Sequence, residues 1–375
     1  MSAPSSTFQT AWQARLALRL LPAVPTLAAL VGTMLLFALF LFLQGAPAWE
    51  AIGLIGEGAF GSGFAWQNTL QRSAPLMLTA LCVALPARAG LVMIGGEGAL
   101  ALGGLAAALV PMLLPVLPAY VMLPLMATGA MLAGGLWVAL AGWLRQARGV
   151  NETIGSLLLS YIAIALFKHL VEGPLRDPAS LNKPSTLPLL PQYMIGSLPG
   201  LDVHWGLFWG VLACIAAYVL LRHSVFGFSL SVVGGNVRAA KLVGLPVSRL
   251  VLVACMLGGA AAGLAGMIEI AAVHGSANSA LLAGYGYSGI LVAFAARQNP
   301  MAIIACALLI GGIESSGGLL QRRLDLPDAT TLVLQGLLFT NLLAWEALGG
   351  RLIAWRLQLE NWQAKSTILK GVQHV

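Results

Sequence analysis

RHSVFGFSLSVVGGNVRAAKLVGLPVSR, from Arg222 to Arg249, lies between two long apolar runs. It carries Arg222, Arg238, Lys241 and Arg249 and neither Asp nor Glu. A basic loop between membrane spans faces the cytoplasm as a rule. Within it the residues spell a short helix. The Asn236 side chain caps the start, and Gly244 followed by Pro246 stops it. A helix of about seven residues is roughly 10 Å long. A short, capped, basic helix in a cytosolic loop predicts a soluble partner that docks there.

The apolar runs on either side set the fold class. The chain has 375 residues, 59% hydrophobic and 9% charged, where a soluble domain carries about 25% charged residues. So few charges cannot cover the surface of a soluble fold of this size, and the chain reads as an integral membrane protein. Its 44 glycines suit helices that approach closely through small residues. GGAAAGLAG (Gly258 to Gly266) holds such a pair, Gly259 and Gly263. The net charge of +7 follows from the positive-inside bias of membrane proteins and implies no nucleic acid. Cys82, Cys214, Cys255 and Cys306 are isolated in apolar runs, so neither a metal site nor a disulfide framework is suggested.

Spans need about 20 apolar residues. The apolar stretches lie near 22–43, 73–88, 90–112, 116–142, 153–171, 204–221, 250–272, 283–297, 300–319 and 329–347. This predicts an all-α, polytopic fold of about ten spans. The first run, preceded by Arg15 and Arg19, exceeds the h-region of about 7–15 residues in a signal peptide, and is expected to be retained. Around 90–104 and 283–297 the runs are short or broken by Gly. Such breaks are tolerated where the exposed backbone faces protein or a water-filled cavity. Two of them echo each other: GLVMIGGEG (Gly90 to Gly98) and GYGYSGILV (Gly284 to Val292) both open a short hydrophobic segment. Two structural repeats with a site between them would leave such a trace.

Charge sets the expected orientation. With the N-terminus inside, the cytoplasmic basic residues are Arg15, Arg19, Arg88, Arg145, Arg148, Arg222, Arg238, Lys241, Arg249, Arg297, Arg351, Arg356, Lys365 and Lys370. The external ones are Arg72, Lys168, Arg176, Lys183, Arg322 and Arg323. The excess favours both termini inside. The organisation expected is a cytosolic segment 1–21, a single membrane domain 22–347 in contact with lipid, and a cytosolic tail 348–375. The longest external loop, 172–203, is rich in Pro. It is expected to form a structured cap, and a surface for an extracytoplasmic partner.

No catalytic constellation stands out. GxSxG, HExxH and the phosphate-cradling GxxxxGK[ST] are all absent from the sequence. If ATP drives the protein, another subunit binds it. The sharper signals are acids inside apolar runs: Glu97, Glu269 and Glu314. A carboxylate at membrane depth faces the bundle interior and often marks a pathway. Its other reading is a Glu bonded to helix backbone or Ser, holding two helices together. Asn151 and Glu152 open a span as a cap and an acid on its positive end. Tyr285 and Tyr287, in a Gly-rich break, either stack on a planar ring or sugar face or belong to an interfacial aromatic belt.

Five blocks in order carry a resemblance over about Arg72 to Thr340. They are RAGLVMIGGEGAL (Arg88 to Leu100), RGVNETIGSLLLSYIA (Arg148 to Ala163), GPLRDP (Gly173 to Pro178), FGFSLSVVGGNVRAAKLVGL (Phe226 to Leu245) and GYGYSGILVAF (Gly284 to Phe294). Together they resemble the permease subunits of ATP-binding-cassette importers for nucleosides and simple sugars, a branch of the wider branched-chain amino acid permease family. The resemblance implies two permease chains lining a pathway in a bacterial inner membrane. It implies cytosolic ATPases, which carry the ATP and Mg²⁺, and an extracytoplasmic binding protein that delivers substrate. This chain itself would need no cofactor and catalyse nothing. Asn236, Arg238, Ala239, Ala240, Lys241 and Gly244 would form the ATPase-coupling helix. Met93, Gly95, Glu97, Ala99, Tyr285, Tyr287 and Ser288 would line the substrate pathway. Met93, Ala99 and Ser288 stand where the family commonly has Asn, Gln and Asp. These replacements imply a less polar lining than in nucleoside permeases, with a nucleoside or related heterocycle as first substrate class and a simple sugar as second. A proton- or sodium-coupled transporter is the reading from a different class. It would use the intramembrane acids and need no docking helix.

Overall fold

A computed structural model describes residues 23–114, 117–345 and 347–348, with side chains from Ala28 onward. The expected N-terminal segment 1–21 and the tail beyond residue 348 lie outside the described residues. Regular structure among the described residues is helical, with two isolated β-bridges and no strand. The main helices are α1 (Ala23–Leu43), α2 (Ala48–Phe60), α3 (Gly63–Ala87), α4 (Gly96–Leu113), α5 (Ala119–Arg148), α6 (Glu152–Glu172), α7 (Gly206–His223), α8 (Val225–Gly235), α9 (Val237–Leu242), α10 (Val247–Glu269), α11 (Tyr285–Ala295), α12 (Pro300–Leu324) and α13 (Ala329–Trp345).

Each of the ten apolar stretches falls on a helix. Among the described residues, seven helices are long and apolar enough to cross a membrane: α3 to α7, α10 with its π-helical extension to His274, and α12. The described apolar segments Ala28–Leu43, Ser279–Ala295 and Ala329–Trp345 are shorter. At 11 residues, α11 is about 17 Å long, half of a hydrocarbon core of ~30 Å. Hydropathy alone missed α2 and α8, the first because Glu50 and Glu57 interrupt its apolar run.

The described residues divide into two compact units, one within Gly53–Asp328 and one formed by residues 23–52 with those from Ala329 onward. In the second, α1 meets α13 where Gly32 leaves room for the Asn341 side chain. In the first, α10 is the central element and packs on α3, α4 and α5. Most of α3 and α10 is buried, whereas most of α6 and α7 is exposed. Small residues decide that arrangement. Gly263 of α10 lies so close to Ala130 of α5 that a Cβ on it would overlap that backbone, and a Cβ on Gly103 of α4 or on Gly134 of α5 would in turn overlap Gly263. Gly259 meets Gly134 one turn away, which gives the expected pair Gly259 and Gly263 its partner helix. Between membrane helices such contact replaces the hydrophobic drive that water would supply.

The long loop after α6 is folded down onto the end of α10. Backbone N–H groups of Thr186, Leu189 and Ile195 donate to the carbonyls of Ala277, Gly275 and Ala271, at 3.0, 2.7 and 2.7 Å. The buried Tyr193 hydroxyl donates to the Leu117 carbonyl at 2.8 Å. His204 closes the loop. Its Nδ1 accepts from the Gly206 N–H at 3.1 Å, which leaves the ring proton on Nε2. That nitrogen makes no hydrogen bond of ordinary geometry, yet the Gln71 carbonyl lies beside it. Pro75 explains the pairing, since it cannot donate to Gln71 four residues back. Burial holds the His204 ring below its usual range, against a smaller pull from that carbonyl.

The α10 crossing is testable. Gly263→Val must push α5 aside, a cost of about 3 kcal/mol or more. Gly318→Ala, with no neighbour within 4 Å of the added Cβ, adds none. In detergent, Gly263→Val should lose most of its monodisperse yield on size exclusion while Gly318→Ala keeps it. Equal yields would remove the crossing from its central place.

Candidate functional site

Two helix breaks meet in the first unit. The first follows α3, which ends at Ala87. Gly90 turns the chain at φ +78, and residues 91–95 run on without helix before α4 begins at Gly96. The backbone of this segment is satisfied by hydroxyls on one face of α6. Thr153 donates to the Val92 carbonyl at 3.0 Å. Ser156 accepts from the Ile94 N–H at 3.0 Å. Ser160 accepts from the Gly98 N–H, one of the free donors of α4's first turn, at 2.8 Å. Positions 153, 156 and 160 share a helix face by their spacing, and this is the signal in TIGSLLLS that sequence reasoning passed over.

The second break precedes α11. Its N-cap, Gly284, sits at φ +89 and offers no side chain. Glu97 of α4 supplies the cap from another helix. One carboxylate oxygen accepts from the Gly284 N–H at 3.0 Å, the other from the Gly286 N–H at 2.6 Å. The acid thus sits on the positive end of α11. The approach needs glycine, because a Cβ on Gly286 would overlap the Glu97 backbone. On the far side the Thr79 hydroxyl lies 2.9 Å from the Tyr285 carbonyl, and Gly289 leaves room for Thr79. Of the two readings held for Glu97, the geometry displays the one in which it ties helices together.

The other expected pathway residues surround this joint. Met93, Gly95, Ala99 and Ser288 are buried within the chain, as is Glu97. Tyr285 is half-buried and packs against the apolar core. Tyr287 is 38% exposed and lies beside the Ser160 hydroxyl. Glu269 is buried with an oxygen 3.7 Å from His274 Nε2. Glu314 and Arg72 lie within electrostatic reach of Glu269 and of Tyr285, and Glu314 also of Glu97. Three acids scattered in sequence therefore gather around one helix start, with Arg72 as a cation that sequence reasoning had assigned to an external loop.

A second site lies in the stretch Arg222 to Arg249. It holds two helices rather than one. Ser224 caps α8 by accepting from the Gly227 N–H at 3.2 Å. Asn236 caps α9 by accepting from the N–H groups of Arg238 and Ala239 at 2.9 and 3.1 Å. Gly244, at φ +80, ends it, and the Leu245 N–H returns to the Ala240 carbonyl at 3.0 Å. The helix has six residues, close to the expected length. Ala240 is fully buried against its own chain, while Arg238, Ala239 and Lys241 are exposed. Leu242 and Val243 stand out at 88% and 71% exposure. At its other end, α8 brings Gly234 onto the backbone of Arg88 and Ala89, beside Gly90. At the head of α6, Asn151 accepts from the Ile154 N–H at 3.1 Å, and Glu152 pairs with Arg145 at 3.2 Å.

Residues 65–343, which span both sites, match the family model for the permease component of branched-chain amino acid transport systems. The chain belongs to this permease family. It is 34% identical to a glucose ABC transporter permease protein of Haloferax volcanii, over 79% of this chain and 80% of that one. It is 30% identical to a guanosine ABC transporter permease protein of Bacillus subtilis, over 78% and 84% of the two chains. A nucleoside ABC transporter permease protein of Lactococcus lactis is 24% identical over 78% and 82%. The permease is thus a multi-pass membrane protein of a transport system, and the resemblance read from the five sequence blocks holds.

The joint has a measurable strength. Removing the acceptor from a buried N–H costs about 1–3 kcal/mol. Ser160→Ala should therefore lower the unfolding midpoint of the detergent-purified permease by several degrees. Glu97→Gln should lower it as well, because one of its two acceptors becomes an NH₂ facing an N–H. Midpoints equal to wild type in both variants would show that these bonds do not hold the breaks.

Proposed function

We propose that this chain is the membrane-spanning subunit of an ATP-driven importer for a nucleoside or a related heterocycle. The observation that carries the reading is α9, a capped helix that presents Arg238, Lys241, Leu242 and Val243 from a basic loop of a permease. A transport subunit without a P-loop needs a surface through which ATP hydrolysis elsewhere can act on it. An exposed Leu beside two cations suits a groove that is apolar at its centre and acidic at its rim. Asn236 and Gly244 fix the ends of the helix, Ala239 lies on its outer side, and Ala240 seats it on the permease.

The nucleoside reading is supported by the names of the Bacillus and Lactococcus relatives and by an exposed aromatic ring at Tyr287. A simple sugar is the second reading, favoured by the Haloferax relative named for glucose. In either case a binding protein delivers substrate to the side of the 172–203 loop. Two permease chains enclose the path. Two ATPases, which hold the ATP and Mg²⁺, grip one α9 each. The short α11 and its neighbours complete a membrane domain of about ten crossings. The loop 222–249 and both termini face the cytoplasm of a bacterial cell, in line with the distribution of Lys and Arg.

Arg238→Glu places a carboxylate where a cation faces the ATPase. Pull-down of the ATPase with the purified variant should fall about tenfold, and uptake into proteoliposomes with it, while the binding protein's affinity for substrate is unchanged. Wild-type pull-down and uptake in this variant would remove α9 from the coupling role. Uptake that collapses with the proton gradient and ignores ATP would replace the importer by an ion-coupled transporter.

A further inference from the structure

A cavity of about 330 Å³ opens where the end of the 172–203 loop meets α3 and the π-helical extension of α10. One wall is a hairpin. Ser197 and His204 pair across it, flanked by bonds from the Leu198 N–H to the Val203 carbonyl at 2.8 Å and from the Trp205 N–H to the Gly196 carbonyl at 3.2 Å. Directly opposed residues share a face, and so do residues two apart on one arm. Ile195, Ser197, Asp202 and His204 therefore stand on one side, and all four line the cavity. Gln71 of α3, with Ala272 and Val273 of the π-helical turn, forms the other wall. Hydrogen bonds tie the walls together. The Ile195 N–H donates to the Ala271 carbonyl at 2.7 Å, and the Gln71 amide donates to the Asp202 backbone carbonyl at 2.7 Å.

The polar groups of the cavity are mostly acceptors. The Asp202 carboxylate takes one long bond, from the Gln67 amide at 3.4 Å, and no cation pairs with it among the described residues. The Gln71 side-chain oxygen and the Ser197 hydroxyl have no hydrogen-bond partner among the described residues. Ile195, Ala272 and Val273 are aliphatic, and the lining holds no phenyl, phenol or indole ring on which a flat base could stack. Acceptors beside small aliphatic patches suit a ligand with donors on its edge and C–H groups on its face. A pentose or hexose has that form, with adjacent hydroxyls from which one carboxylate can accept in pairs. The volume lies near the lower end for small-ligand cavities, roughly 300–1,000 Å³, which is room for one sugar ring.

We infer that this cavity receives the sugar ring of the substrate, with Asp202 accepting from its adjacent hydroxyls. Both substrate classes of the importer reading carry such a ring, the nucleoside through its ribose. The inference deepens that reading and rests on it for the ring being cargo. Two variants separate the cavity from the fold. Asp202→Asn leaves the Gln71 bond in place, because that bond is to the backbone. Val273 is 53% exposed, so Val273→Trp brings an indole into the mouth without displacing the core.

The test uses the purified transporter, permease with its ATPases, and saturation-transfer NMR with guanosine and glucose as probes. The sugar protons should receive saturation more strongly than the base proton of guanosine. In Asp202→Asn the apparent Kd should rise about tenfold, in keeping with one hydrogen bond to a charged group, and in Val273→Trp the signal should vanish. The KM for uptake into proteoliposomes should rise in both. Saturation confined to the base proton overturns the assignment to a sugar ring. So does a wild-type Kd in both variants, or the absence of saturable binding by either probe. Variants that bind sugar as wild type does but lose pull-down of the binding protein give the cavity to a side chain of that partner, and overturn the inference as well. Uptake that ignores ATP strikes the importer reading instead, since the NMR decides the cavity without turnover.

Discussion

A peptide group in hydrocarbon has no water to bond, so every N–H and C=O released by a helix break must find its partner in the protein. This permease has two such breaks, at residues 88–95 and 275–284, and it solves both with a few side chains from neighbouring helices. Thr153, Ser156 and Ser160 serve the first, and Glu97 serves the second. The two breaks are not independent, because Glu97 is held in the first turn of the helix that Ser160 completes. The turn that the Ser160 bond completes carries the acceptor for the donors of the other break. The glycines around Glu97 are the geometric side of the same constraint, since Gly286 and Gly98 let three helices come within reach of one carboxylate.

Much of this arrangement was legible in the chain. Helix positions followed from hydropathy, because each apolar run falls on a helix, and the Asn236 and Gly244 signals marked α9 to within a residue. GLVMIGGEG and GYGYSGILV were matched by pattern, and in space the Glu97 of one bonds the glycines of the other. What stayed hidden depends on contacts between distant segments. A Gly-rich stretch such as FGFSLSVVGG reads as loop, yet it is helical because Ser224 caps it and it packs against the α3 break. Hydropathy could not separate helices that fit a bilayer from α11, which stops after 11 residues. Nor could it distinguish Tyr285 from Tyr287, two positions apart on a helix and so on different faces.

The central position of α10 has a similar origin. Gly259, Gly263 and Gly266 give it a groove on several sides, into which the backbones of α4 and α5 settle. A helix held by backbone contact is placed with less tolerance than one held by long side chains. The acids Glu269 and Glu314 approach Tyr285 from α10 and α12, and Arg72 does so from α3.

The seat of α8 on the α3 break has a mechanical meaning. Gly234 touches the backbone of Arg88 and Ala89 with no side chain of its own in between. Side chains can absorb a small push by changing rotamer, whereas two backbones in contact cannot. The contact lies a few positions before Glu97, so α8 and the start of the α3 break are seated backbone to backbone. Between the stretch 222–249 and the residues that lead to Glu97 there is thus no rotamer at Gly234 to take up slack.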